Sequence, residues 1–334
     1  MVVAGVVTAA LAGCGGGKAN DASTVAKEVA PPGLSESTAT TDGVPASHAV
    51  EPAAGGTDST VDTIESPEQS AAADTSSAAP AGDARILSAA DRASFTRLEA
   101  SLGGESGVAV SGLGIGERVE SAGTLRTGVA WSTAKIPVAM AVIAGGGAVA
   151  QQGDLTSAVT ASDNAAAVRL WESLGGGQAA ASAADGQLRQ AGDTHTHMES
   201  RSLRGPGYTP FGQTDWSLSD QVRFTAGLPC SQSGTQVRSL MSQVVAGQRW
   251  GLGSAGVAAE FKGGWGPGSQ PGSGGGYLDR QMGIVTINGK PLAVAIATVP
   301  ADGSHASGTG NLTAIARWVI AHANIAELPV RPAC

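Results

Sequence analysis

The sequence predicts an α+β domain in which helices flank an antiparallel sheet of five strands. Two strand-type runs come first, a helical middle follows, and three strand-type runs precede a closing helix. This order is typical of an antiparallel sheet with helices packed against it. The pair Asn288-Gly289 between the last two runs is a strong signal for a tight type I′ hairpin.

Short apolar or alternating runs predict strands at 108–113, 116–121, 258–263, 281–287 and 292–299. In the last run, one face consists of Val294, Ile296 and Thr298. The other face consists of Ala293, Ala295 and Ala297. Both faces are therefore expected to be covered, and the alanine face allows a helix to approach closely.

Helical periodicity appears at 88–101, 132–144, 163–174, 178–191, 217–228, 233–247 and 309–323. Ser88, Asp163 and Ser217 stand at the beginning of three of these stretches. Their short polar side chains can accept hydrogen bonds from free backbone N–H groups, so we predict them as helix N-caps.

Composition divides the chain near residue 85. Residues 15–84 carry 11 acidic and two basic side chains, whereas residues 85–334 carry 17 acidic and 18 basic. All 12 aromatic residues lie at or after Phe95. We therefore predict a disordered acidic tether over 15–84, which cannot bury enough apolar surface to fold, and a nearly neutral domain over 85–334. The absence of a basic stripe argues against a nucleic-acid partner. We also expect a monomer.

The first 14 residues predict an export signal. The apolar segment 2–13 is too short to span a bilayer, and Leu11-Ala12-Gly13-Cys14 resembles the lipobox of bacterial lipoproteins. This resemblance implies lipidation of Cys14 and attachment to the outer face of the cytoplasmic membrane, although no Lys or Arg precedes the apolar run. In an oxidising compartment Cys230 and Cys334 are free to form a disulfide, the alternative being two unpaired thiols.

Lysine is rare in the domain, which contains 15 arginines but only Lys135, Lys262 and Lys290. Arginine keeps its charge, whereas a desolvated lysine can act as a base. Two of these lysines lie in motifs that suggest chemistry.

Three short motifs contain useful side chains. Ser132 and Lys135 open an apolar helix three residues apart, which puts them on one helical face near the positive end of the helix dipole. The triplet Ser162-Asp163-Asn164 opens another helix, and Lys262-Gly263-Gly264 ends a strand before Trp265. Taken singly, the motifs also fit a capped helix with a solvated lysine, an N-cap triplet and an edge strand with a flexible turn.

In this order the motifs resemble the S-x-x-K, S-D-N and K-T-G set of class A β-lactamases and penicillin-binding proteins. The resemblance extends from about Ser88 to Ala323 and implies the fold of that family. The interval from Ser132 to Ser162 is shorter than in typical class A enzymes, which implies a reduced helical subdomain.

The resemblance also implies catalytic roles. Ser132 would be the nucleophile, Lys135 its activating partner, and Ser162 the relay that passes a proton to the leaving nitrogen. Asn164 would orient Lys135 and the substrate amide. Lys262 would supply positive charge to Ser162 and to a substrate carboxylate.

Backbone groups would complete the predicted site. Gly264 and Trp265 would line the substrate, and the N–H groups of Ser132 and Trp265 would form an oxyanion hole. Gly263 departs from the family, which has Thr or Ser there, with a hydroxyl that helps to hold the carboxylate.

The second departure concerns deacylation. Class A enzymes carry an Ω-loop glutamate in an R-x-x-E-x-x-L-N setting, and residues 195–207 lack this pattern. Glu199 is the candidate for a deacylating base, the alternative being an exposed loop charge. His195 and His197 lie in a polar loop without a third ligand, so we expect surface residues and no metal.

The sequence thus predicts an exported, lipid-anchored serine hydrolase that needs no cofactor and forms an acyl-enzyme at Ser132. Its expected substrates are β-lactams or related amides. The alternatives are a D-alanyl carboxypeptidase-like enzyme acting on peptidoglycan stem peptides, and a non-catalytic lipoprotein that binds cell-wall peptide in the same cleft.

Overall fold

The computed structural model describes residues 85–268, 276–326, 328 and 331–334. The predicted signal segment 1–14 with its lipidation site Cys14, and the predicted tether 15–84, lie outside the described residues. Both therefore stay predictions.

Seven strands are formed by the described residues: β1 Glu105–Ser111, β2 Val119–Gly123, β3 Thr127–Val129, β4 Asp215–Ser217, β5 Ala258–Pro267, β6 Tyr277–Ile287 and β7 Lys290–Val299. Five of them form one antiparallel sheet in the order β2-β1-β7-β6-β5. The short strands β3 and β4 pair separately as a two-stranded ribbon. The predicted fold class is confirmed, and β5 is an edge strand.

The β6–β7 hairpin turns at the predicted residues. Asn288 and Gly289 both have positive φ, 49° and 78°. A type I′ turn requires positive φ at both central positions, and Asn and Gly tolerate it best.

The eight helices of the described residues are α1 Ala89–Leu102, α2 Lys135–Ala144, α3 Gln152–Thr160, α4 Asn164–Ser173, α5 Gly177–Gln190, α6 Leu218–Gly227, α7 Gln232–Met241 and α8 His305–His322. Seven correspond to predicted helices, and Ser88, Asp163 and Ser217 cap α1, α4 and α6 through their side chains. Helix α3 was not predicted from the sequence. Among these helices none is both long and apolar enough to cross a membrane.

The two faces of β7 pack against different helices, as its pattern predicts. Val294 and Ile296 lie in a core cluster with Leu312 and Ile315 of α8. On the opposite face Ala293, Ala295 and Ala297 share a cluster with Leu218 and Val222 of α6. The small alanine side chains let α6 pack closely on the sheet.

Helix α2 is the centre of the second, helical layer. Residues 135–143 are all buried, which is expected of a helix that is apolar on every side. Helices α3, α4, α5 and α7 surround it. Between Ser132 and Ser162 the chain forms only α2 and α3. This packing fixes the N-terminal end of α2, where Ser132 and Lys135 lie.

The C-terminus is tied to the domain at two points. Cys230 and Cys334 form a disulfide with their Cα atoms 5.3 Å apart. Next to it, the Ala333 N–H donates to the Leu113 carbonyl, and the Ala333 carbonyl accepts from Ile115 N–H.

Candidate active site

The predicted nucleophile lies in a short 3-10 turn, Trp131–Ala134, that leads into α2. Trp131 has φ 48°, a conformation that costs a non-glycine residue on the order of 1–3 kcal/mol and is enriched at functional sites. The side chain of Thr133 donates to the Ala130 carbonyl, and the Gln221 amide donates to Thr133 Oγ1 at 3.0 Å. These bonds hold the turn against α6.

Lys135 lies between the two predicted catalytic serines and is only 1% exposed. Its Nζ is 3.0 Å from Ser132 Oγ and 3.2 Å from Ser162 Oγ. It also donates to the Ser162 carbonyl at 2.5 Å and to Asn164 Oδ1 at 2.6 Å. The three acceptor residues fix the amine within proton-transfer distance of Ser132.

Ser162 connects this group to the second lysine. Lys262 Nζ donates to Ser162 Oγ at 2.9 Å and to the Gly263 carbonyl at 2.8 Å, and the Lys262 side chain is fully buried. Ser162 itself has φ 60°. The polar atoms of Ser132, Lys135, Ser162 and Lys262 thus form a continuous chain with Asn164 beside it, so five predicted site residues are brought together.

Gly264 allows the edge strand β5 to pass the nucleophile turn. A Cβ atom at this position would lie 2.8 Å from the Ala130 carbonyl oxygen and 2.9 Å from the Ser132 nitrogen. No side chain fits such a gap. The backbone of β5 therefore runs beside the Ser132 N–H, where a second N–H from Trp265 is predicted to complete the oxyanion hole.

The side of β5 at Gly263 is filled by another residue. A Cβ atom on Gly263 would lie 2.9 Å from Cη2 of Trp250. The indole therefore takes the room in which a threonine or serine side chain would stand. Trp250 also packs edge-on against Trp265, with ring centroids 5.9 Å apart.

Glu199 is engaged away from the catalytic group. Its carboxylate accepts hydrogen bonds from Nε and Nη2 of Arg201 at 3.0 and 3.2 Å, and from the Arg201 backbone N–H. The Arg201 hydrogen bonds hold the pKa of the Glu199 carboxyl below its usual range. Among the described contacts of Glu199, none reaches Ser132 or Lys135.

His195 and His197 are exposed, with 67% and 78% of their side chains accessible. His195 Nδ1 is 2.9 Å from Asp220 Oδ1, and Asp193 lies close to both. The Asp193 and Asp220 oxygens already accept N–H and O–H donors from five residues: His195, Thr196, Trp216, Ser217 and Arg223. These hydrogen bonds therefore hold the loop that contains His195 in place.

A small cavity opens beside the nucleophile. It is lined by Trp131, Ser132, Asn164, Gly207, Tyr208 and Thr209. Ser132 and Asn164 are predicted by their motifs, whereas no motif marks the loop 207–209. Tyr208 packs on Trp131 with ring centroids 6.0 Å apart.

The chain matches known proteins by structure but not by sequence. No protein-family model and no curated protein matches the chain. Solved structures do resemble it. A class A β-lactamase from Mycobacterium abscessus is 18% identical with a TM-score of 0.53, covering 69% of this chain and 98% of its own.

Two further solved structures are similar to the chain. A β-lactamase from Chitinophaga pinensis is 17% identical with a TM-score of 0.56, covering 70% of this chain and 100% of its own. A β-lactamase from Burkholderia vietnamiensis is 15% identical with a TM-score of 0.52, covering 68% and 96%. The sheet order, the helical layer and these similarities agree with the predicted resemblance: the chain has the fold of the class A β-lactamases.

Proposed function

We propose that this protein is an exported serine hydrolase that forms an acyl-enzyme at Ser132, with β-lactams or related amides as substrates. One observation carries the proposal: the buried amine of Lys135 lies 3.0 Å from Ser132 Oγ and 3.2 Å from Ser162 Oγ. A base within hydrogen-bond distance of a serine is the recognisable feature of an activated nucleophile.

Acylation then proceeds as an addition and an elimination. Neutral Lys135 accepts the Ser132 hydroxyl proton while Oγ attacks the substrate carbonyl carbon, and the carbonyl oxygen gains the negative charge. Ser162 delivers a proton to the leaving nitrogen and is replenished from Lys135, as the C–N bond breaks and a Ser132 ester forms. The ammonium of Lys262, 2.9 Å from Ser162 Oγ, favours this transfer because it donates to the relay oxygen.

Deacylation needs one more group, a base on an attacking water. The Glu199 carboxylate is bound by Arg201, and the lowered pKa of Glu199 makes it a weak base. We therefore propose that the ester forms faster than it is hydrolysed, which gives a burst of about one equivalent followed by slow turnover.

The direct test is the intact mass of the protein after mixing with benzylpenicillin. Wild type should gain the mass of one penicillin, and Ser132→Ala should gain none. Ser182→Ala, on the exposed side of α5, is the matched control and should acylate like wild type. An unmodified wild type, or an adduct that persists in Ser132→Ala, contradicts the proposal.

The engaged Glu199 also favours a second candidate, an enzyme that acts on peptidoglycan stem peptides as a D-alanyl carboxypeptidase. Release of D-alanine from an acyl-D-alanyl-D-alanine peptide, lost in Ser132→Ala, would support it. If neither compound gives an adduct or product but the peptide binds, a non-catalytic cell-wall-binding protein is the better description.

A further inference from the structure

Three buried N–H donors next to the nucleophile have no hydrogen-bond acceptor. They are Nε and Nη2 of Arg204 and Nε1 of Trp131. A buried donor without an acceptor destabilises the folded state, and such groups are rare in folded proteins. Their concentration on two contacting residues indicates a place where an acceptor binds.

The two residues are held in contact. The Arg204 guanidinium lies over the Trp131 ring with Cζ 5.2 Å from the centroid. Its Nη1 donates to the Pro267 carbonyl at 3.0 Å, and its backbone N–H donates to Gln213 Oε1 at 2.6 Å. Burial lowers the pKa of Arg204, as expected where a guanidinium loses water. Trp131 is 3% exposed.

The unused edge of Arg204 is the one that suits a carboxylate. Nε and Nη2 present two parallel N–H groups, and a carboxylate can accept both. Three other arginines use this edge in that way: Arg169 with Asp154, Arg201 with Glu199 and Arg238 with Glu260. Arg204 has no such partner among the described residues.

Strand β5 shows which part of a substrate would reach this edge. Lys262, in the middle of the strand, contacts Ser162, the predicted relay to the leaving nitrogen. Gly264 passes beside Ser132, and Pro267, at the C-terminal end of the strand, accepts the bond from Arg204. A substrate lying along β5 thus places its leaving group at Lys262 and its acyl group toward Arg204.

We propose that the Nε–Nη2 edge of Arg204, with the Trp131 indole N–H beside it, is an anion subsite that binds a carboxylate on the acyl part of the substrate. This inference rests on the proposed function for its orientation. Occupation of the subsite satisfies the buried donors and pairs the guanidinium. The preferred substrates are therefore amides whose acyl chain ends in an anionic group.

The test measures binding without chemistry, in the Ser132→Ala protein. Two probes of the same shape are compared, N-succinyl-D-alanine, which has a carboxylate on its acyl chain, and N-succinamoyl-D-alanine, which has a neutral amide there. We expect the succinyl probe to bind about 10-fold more tightly. In ¹⁵N-labelled protein it should also shift the Trp131 indole N–H resonance, assigned with Trp131→Phe.

Variants of Arg204, each combined with Ser132→Ala, locate the preference. Arg204→Gln should abolish it, and Arg204→Lys should keep part of it, because lysine retains the charge but not the paired donors. Arg97→Gln, an exposed arginine on α1, removes the same charge and should leave the preference intact. Near-UV circular dichroism checks that each variant is folded.

Equal affinity for the two probes, no binding of the succinyl probe up to about 10 mM, or a preference that survives in Arg204→Gln would each overturn the subsite. The outcome is separable from the proposed function: a wild type that binds the succinyl probe selectively but never acylates keeps the subsite and loses the hydrolase. A wild type that acylates but binds the two probes equally keeps the hydrolase and loses the subsite.

Discussion

The chemistry proposed for Lys135 depends on the difference between an amine and a guanidinium. A buried lysine can lose its proton and act as a base, whereas arginine cannot at any working pH. Because the guanidinium of Lys135→Arg cannot accept the Ser132 proton, this variant should reduce the rate of the acylation burst by about 10³-fold or more. The burst is measured with a chromogenic β-lactam in a stopped-flow instrument.

The control for that experiment is Lys290→Arg. Lys290 lies at the beginning of β7, where its amine donates to the Ala326 carbonyl, and it should tolerate the exchange. If Lys135→Arg retains a burst close to that of wild type, Lys135 does not accept the proton.

The structure changes what we expect of Glu199, the candidate deacylating base. Since its carboxylate is bound by Arg201, Glu199→Gln should leave both the burst and the later slow phase within about twofold of wild type. A slow phase that is selectively reduced would show that Glu199 leaves Arg201 and acts as the deacylating base.

The same variant tests the ion pair itself. The pKa of Glu199 is lowered in the folded state by the Arg201 hydrogen bonds, so the pair stabilises the protein above the ordinary carboxyl pKa. This contribution is lost as the pH falls through the lowered pKa. Glu199→Gln should therefore melt slightly below wild type at neutral pH and at the same temperature in strong acid.

At the scale of elements, the β3–β4 ribbon positions the nucleophile turn, and one buried residue holds it. Arg280 of β6 donates to the carbonyls of Gly128, Val129 and Trp216 and to Gln221 Oε1. It is 1% exposed. It therefore joins both short strands and α6 to the main sheet. Strand β3 ends at Val129, just before the turn that contains Trp131 and Ser132.

Arg280→Met should lower the free energy of unfolding by about 3 kcal/mol or more, because four buried acceptors lose their donor. Urea denaturation measures this loss. Arg280→Lys can satisfy only some of the acceptors and should lie between Met and wild type. A fully stable Arg280→Met would mean that the ribbon is held by its own pairing.

The elements that could be predicted are those with a local signal. The Asn288-Gly289 turn and the alanine face of β7 follow from periodicity and turn chemistry, and Ser132, Lys135, Ser162 and Lys262 follow from motifs. The ribbon could not be predicted, since β3 and β4 have three residues each and are defined by pairing across a long sequence interval. Arg204 carries no motif, and its importance appears only when its unpaired donors are seen beside Trp131.

At the scale of the whole molecule, the Cys230–Cys334 disulfide joins the region after α6 to the last residue of the chain. The cysteines are separated by 104 residues, an interval that includes α7, α8 and the strands β5, β6 and β7. A cross-link over so long a loop acts mainly by limiting the conformations of the unfolded chain.

On that entropic account, replacing Cys230 and Cys334 by serine should lower the free energy of unfolding by about 4–5 kcal/mol. Denaturant titration of the Cys230→Ser/Cys334→Ser protein against oxidised wild type measures the difference. Thiol titration of unreduced, unfolded wild type is the control and should find no thiol besides that of Cys14, since Cys230 and Cys334 are paired. Because Ala333 keeps its backbone bonds to Leu113 and Ile115, the native structure should persist in the variant. Equal stability of the two proteins, or reactive thiols at Cys230 and Cys334 in wild type, would show that the C-terminus is held by those hydrogen bonds and not by the disulfide.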